Sequence, residues 1–144
     1  MKTCSSLRKC GGCAYIGKPY EESLAIKQKY VNELLGKKVK VLPIIGANNP
    51  YNYRNKVHSA YYRDRSGKVL YGTYEEGSHK IVSNEGCLIE NKKATAITET
   101  IAKLLSKFKI FIYDEKTGRG IYRRTLVRVS SLTGDIMVVL VVAD

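Results

Sequence analysis

The stretch Ile121-Tyr122-Arg123-Arg124-Thr125-Leu126-Val127-Arg128-Val129-Ser130, a turn at Thr133-Gly134-Asp135, and then Ile136-Met137-Val138-Val139-Leu140-Val141-Val142 read as two strands closing on each other. Working outward, a second hairpin is expected upstream. Lys56 to Tyr62 runs into the turn Asp64-Arg65-Ser66-Gly67, and Val69 to Tyr74 returns. Two helices complete the pattern. Glu21 to Leu35 carries Leu24, Val31, Leu34 and Leu35 near one face and stops at Gly36. Asn91 to Lys107 sets Ala94, Ile97, Ile101, Leu104 and Leu105 on one apolar stripe. Val39 to Ile45 reads as a further strand, with Pro43 arguing for an edge position. The expected fold class is α+β: an antiparallel sheet of hairpins with two main helices, in one domain over residues 1–144.

Composition narrows the partners. Lys and Arg total 25 against 13 Asp and Glu, a formal net charge of +12. Such a balance suits a polyanion, most simply nucleic acid, although a solvated lysine-rich surface would give the same number. No apolar run reaches the roughly 18 residues that a membrane-spanning helix needs. The stretch Met1 to Cys13 has no apolar segment of the kind a secretory signal carries, which points to a cytoplasmic, thiol-reducing setting.

The cysteines carry the sharpest chemical signal. Cys4, Cys10 and Cys13 form a C-x5-C-G-G-C pattern, and the fourth and last, Cys87, stands alone downstream. Three clustered thiols plus one distant thiol make a set of four with none left over. Three readings stay open on spacing alone. Disulfides would need an oxidising compartment. Zinc suits four thiolates but usually presents two CxxC-like pairs. A four-iron cluster takes one thiolate per iron and fits a three-plus-one arrangement. Gly11 and Gly12 would let the backbone bend close to a bound group. His58 and His79 are expected to be structural or surface residues, because the cysteines already complete a site.

Basic residues gather around the hairpins. Arg54, Lys56, Arg63 and Arg65 interleave with Tyr51, Tyr53, Tyr61 and Tyr62; Arg119, Arg123, Arg124 and Arg128 gather with Tyr122. Guanidinium groups bind phosphate bidentately and tyrosine faces can stack on unpaired bases, although sheet packing is the commoner fate of any one tyrosine.

Five ordered segments resemble the SAM-dependent RNA uracil-5-methyltransferase family: Cys4-x5-Cys10-Gly11-Gly12-Cys13, Tyr53-Arg54-Asn55-Lys56, Gly72-Thr73-Tyr74 through Gly77-Ser78-His79-Lys80-Ile81-Val82, Cys87-Leu88-Ile89, and Gly120-Ile121-Tyr122-Arg123-Arg124 with Val127-Arg128. Thr73 stands where the family usually has an aromatic residue and Arg124 where it usually has histidine. The resemblance implies a [4Fe–4S] cluster on Cys4, Cys10, Cys13 and Cys87, and RNA, with ribosomal RNA expected, as partner. It nominates Arg54 and Lys56, then Arg123 and Arg124, as RNA contacts. It also implies that the SAM-binding Rossmann-like domain, with the catalytic cysteine and general base, follows the region seen here. No catalytic residue and no SAM site is therefore expected within residues 1–144, and SAM belongs to the parent enzyme. A self-standing iron–sulfur or zinc nucleic-acid-binding module without catalysis is the alternative.

Overall fold

The computed structural model describes residues 4–6, 9–15 and 17–144. Its centre is a five-stranded antiparallel sheet made of β1 (Lys56–Arg63), β2 (Val69–Tyr74), β3 (Ile81–Ser83), β4 (Tyr122–Val129) and β5 (Ile136–Val142). The order across the sheet is β3-β2-β1-β4-β5. Both expected hairpins are present, and β1 and β4 pair in the middle, with Val57 opposite Val127 and Ser59 opposite Thr125. The α+β expectation is met.

One face of the sheet is covered by α2 (Lys92–Lys107). Asn91 starts the helix by accepting the amide of Lys93 at 2.9 Å on its side-chain oxygen, which satisfies one of the unpaired donors of the first turn. The face that α2 buries is Ala94, Thr98, Ala102 and Leu105, a row of successive helix turns. Small residues in that row let the helix lie close over Val57, Val127 and Val129, while Leu105 reaches Tyr61, Tyr71 and Tyr122. Leu104, expected on the stripe, is exposed instead.

The core also contains hydroxyls that pair with one another. Tyr61 and Tyr122 meet edge to face with ring centroids 5.3 Å apart. Both hydroxyls converge on the Thr125 hydroxyl, at 2.8 and 2.6 Å. Two aromatic rings can thus sit in the interior without a stranded O–H. At Gly72 the neighbouring strand comes so close that a Cβ would lie 1.9 Å from the Val82 carbonyl oxygen, so only glycine fits between β1 and β3.

Two expectations needed correction. Residues 39–45 form no strand: they run as an extended segment back along α1 (Tyr20–Leu35). The side chain of Gln28 ties them to that helix by donating to the Leu42 carbonyl at 3.3 Å and accepting the Ile44 amide. The Tyr20 hydroxyl accepts the Ala47 amide at 2.7 Å. A helix side chain has taken the donors that a sheet would need. Strand β3 was not foreseen; at three residues it is too short to show a period.

The helix α1 differs from α2 in kind. It packs on neither the sheet nor α2, and only Ser23 is buried along its length. Of its expected apolar face, Val31, Leu34 and Leu35 are open to solvent and Leu24 is half-buried.

Candidate metal centre and nucleic-acid interface

The loop holding Cys4, Cys10 and Cys13 lies against the end of the sheet where β2, β3 and the residue 84–91 loop meet. Ser6 anchors it by donating from its hydroxyl to the Ser83 carbonyl at 2.6 Å. The Cys10 sulfur and the Thr73 hydroxyl are 3.2 Å apart. Thr73, the departure from the family's aromatic residue, is thus a neighbour of the cysteine loop. Space favours the glycines of the motif: a Cβ on Gly11 would come within 2.9 Å of the Glu76 Cβ, closer than side chains approach, and one on Gly12 would make a tight 3.2 Å contact with the Cys10 sulfur.

Cys87 is presented by a separate device. Residues 52–54 run alongside residues 88–91. The Asn52 amide donates to Leu88 at 2.9 Å, the Arg54 amide to Ile89 at 2.8 Å, and the Asn91 amide returns to the Arg54 carbonyl at 2.9 Å. Gly86 adopts φ +72°, the left-handed turn that sets up Cys87, and the Cys87 amide closes it on the Asn84 carbonyl at 2.9 Å. Arg54 links the two halves: its guanidinium donates to the Gly12 carbonyl at 2.8 Å.

All four cysteines are free thiols of intermediate exposure. Burial pushes the Cys13 thiol up; the Arg54 charge opposes this, and the sulfurs of Cys87, Cys10 and Cys4 add to it. Burial raises Cys87 as well, against the backbone amides of Ile89 and Glu90, with Glu90 and Cys4 raising it further. Cys13 therefore feels all three of the other sulfurs. Among the described residues no three His, Cys, Asp or Glu side chains are gathered tightly enough to ligate a single metal ion. The two observations are compatible, because a charge is felt over a longer range than a coordination bond.

Behind Cys87 lies a buried polar pair that the sequence did not flag. Asn84 donates its amide to Glu90 Oε1 at 2.8 Å, and burial raises the Glu90 carboxyl above its usual range. Asn84 Oδ1 and Glu90 Oε2 have no partner.

The four expected RNA-contact side chains fall into two pairs. Arg54 is committed to Gly12, as above. Arg123 makes two bonds to the Glu115 carboxylate, at 2.9 and 3.1 Å, and lies over the Tyr113 ring at 4.3 Å. Lys56 and Arg124 are exposed, on the sheet face that α2 leaves uncovered. His79 stands edge to face with Tyr74 at the surface. Among the described residues no helix is long and apolar enough to cross a membrane.

No family model matches the chain. It is 39% identical over 145 residues to an uncharacterized RNA methyltransferase of Clostridium tetani, matching 98% of this chain and 31% of that protein. It is 37% identical over 144 residues to an uncharacterized RNA methyltransferase of Listeria innocua, matching 96% of this chain and again 31% of the relative. Among solved structures it resembles the tRNA (uracil-54, C5)-methyltransferase of Pyrococcus abyssi in complex with S-adenosyl-L-homocysteine. The TM-score is 0.74 and the identity 26%, covering 94% of this chain and 32% of that one. The likeness to RNA methyltransferases expected from the motifs is thus met in sequence and in structure. The chain spans about a third of the length of the curated relatives it matches.

Proposed function

We propose that this chain is the RNA-binding, [4Fe–4S]-bearing part of a SAM-dependent RNA uracil-5-methyltransferase that acts on ribosomal RNA in the cytoplasm. SAM and the methyl-transfer chemistry would belong to a C-terminal methyltransferase domain of the parent. What carries the reading is that the chain is related over nearly its whole length to RNA methyltransferases, and that the charges of Cys87, Cys10 and Cys4 all act on the Cys13 thiol across two separately braced loops.

The donor set fits such a cluster. Burial raises the Cys13 and Cys87 thiols, with neighbouring sulfurs adding to it, and thiolate ligands suit iron. A four-iron cluster also spreads its ligands wider than a single ion does, in keeping with sulfurs that feel each other without closing on one point. When bound, the cluster would supply a cross-link between the N-terminal loop and the Cys87 loop; uracil methylation from SAM calls for no electron transfer. Cys87 lies 74 positions past Cys13 (87 − 13). Tying them closes a long loop and adds ligand-binding free energy to folding.

For RNA, Lys56 and Arg124 offer free cationic ends. Arg54 and Arg123 would reach a phosphate only by leaving Gly12 and Glu115. Iron and acid-labile sulfide analysis of anaerobically prepared protein tests the reading, and four of each per chain are expected. Stoichiometric zinc with no visible absorption would favour the self-standing zinc module instead.

A further inference from the structure

We propose that the uncovered face of the sheet, at Lys56, His58, Arg124 and Arg128, is where the sugar–phosphate backbone of RNA lies. The inference rests on the RNA reading above and gives it a surface. It begins with alternation. Val57, Ser59 and Tyr61 of β1 and Thr125, Val127 and Val129 of β4 are buried beneath α2. The residues between them point the other way, because successive side chains of a strand take opposite faces. Register then sets Lys56 opposite Arg128, His58 opposite Leu126, and Arg124 opposite Ala60. Lys56, His58, Arg124 and Arg128 are all exposed. The two ends of the block are four residues apart, about 13 Å along the strands.

The four groups share one electrostatic neighbourhood. Burial lowers the His58 imidazole first, and then the charges of Lys56, Arg124 and Arg128 lower it further. Like charges directly opposite on paired strands oppose sheet formation. The usual remedy is a carboxylate, and it is missing: among the described residues no ion pair includes Lys56, Arg124 or Arg128. Asp135 is the nearby acid. It shares a groove of ≈490 Å³ with Asn55, Lys56, Arg128 and Met137, accepts from the Thr133 hydroxyl at 2.6 Å, and forms an ion pair with none of the three cations. A sheet face holding three unneutralised cations is complementary to an anion.

The anion is extended and carries apolar parts. Beside the cations, register puts Met137 next to Arg128 and Val139 next to Leu126, and both are about half exposed. Cations lined by apolar ground suit a phosphodiester with its sugars better than a small ion, which would use the charges alone.

The test is anisotropy of a fluorescein-labelled RNA stem-loop with uridines in its loop, titrated at several salt concentrations. Wild type is compared with the Lys56→Gln/Arg128→Gln and Lys29→Gln/Lys103→Gln double variants. Both pairs remove two charges. Lys29 and Lys103 sit on the helices in ion pairs with Glu33 and Glu99, so they report net charge alone. The face variant should flatten the slope of log affinity against log salt by about 1.4 to 1.8, two phosphate contacts' worth, while the helix variant keeps the wild-type slope. If wild type binds and both variants give the same slope, the face is not the site and the RNA reading survives without it. If wild type binds no RNA, the RNA reading itself falls. Competition by polyglutamate, charge for charge as effective as unlabelled RNA, would overturn RNA as the occupant and point to an acidic protein.

Discussion

The chain's two helices have the same length, 16 residues each, and opposite fates. In α2 the inward residues recur every turn, so Ala94, Thr98, Ala102 and Leu105 meet the sheet as one row. In α1 Leu24 and Ile26 of the first half are half-buried, while Tyr30, Val31, Leu34 and Leu35 of the second half stay open to solvent. Below them the helix is held by polar bonds from Gln28 and Tyr20 to the extended segment that follows. Amphipathic spacing therefore told where a helix forms, and it did not tell whether the face would find a surface. That second fact depends on what else is near, and the sheet has already spent its covered face on α2.

The comparison makes its largest prediction at Leu105. This side chain is 5% exposed and packs among Tyr61, Tyr71 and Tyr122. Leu105→Ala should lower the unfolding free energy by about 2–5 kcal/mol, the transfer cost of the lost methyls plus the cavity they leave. Urea denaturation followed by circular dichroism measures it. A loss under about 0.5 kcal/mol would mean that α2 holds the sheet less firmly than its burial indicates.

Much of this unit was legible in advance. The two hairpins and α2 each carry their own signal: alternation, a glycine turn, an apolar stripe at helical spacing. What was not legible depends on partners distant in sequence. Val39 to Ile45 has the composition of a strand, yet its Leu42 carbonyl and Ile44 amide bond Gln28 of α1 instead of a neighbouring strand. At the candidate metal centre the four cysteines stand out in the sequence, because no other cysteine competes with them. The roles of Arg54 and Thr73 do not, because each is set by a loop far away, Gly12 and Cys10. On the open face Arg128 was seen only as one of a group. Counting every second residue along β1 and β4 would have placed it with Lys56, but the pairing register had to be known first.

A smaller effect is expected from pH at His58. Its folded pKa lies below the ordinary histidine value, so near that value the unfolded chain binds more protons than the folded one. Stability from this group is then present above the unfolded pKa and is lost as pH falls through the folded pKa. Melting temperature should decline between about pH 7 and pH 5 in wild type, and less steeply in His58→Gln. Identical declines in the two proteins would mean that the cations beside His58 do not act on it.

The smallest effect is expected on α1, and it is the one that could break the comparison. Leu34 is 57% exposed and α1 touches neither the sheet nor α2, so Leu34→Ala removes methyls that already face water. No cavity opens, and alanine is a slightly better helix former than leucine, so both local terms are small. The change in unfolding free energy should stay within about 0.5 kcal/mol of zero, the range of an ordinary surface substitution. Repeating the measurement at several protein concentrations gives the result its meaning. A loss as large as that of Leu105→Ala, growing with concentration, would show that Tyr30, Val31, Leu34 and Leu35 are covered by a second copy in solution. A large loss independent of concentration would show that α1 folds onto its own chain. Either outcome would erase the contrast between the helices; a value near zero leaves α1 as an arm whose apolar side takes no part in holding this domain together.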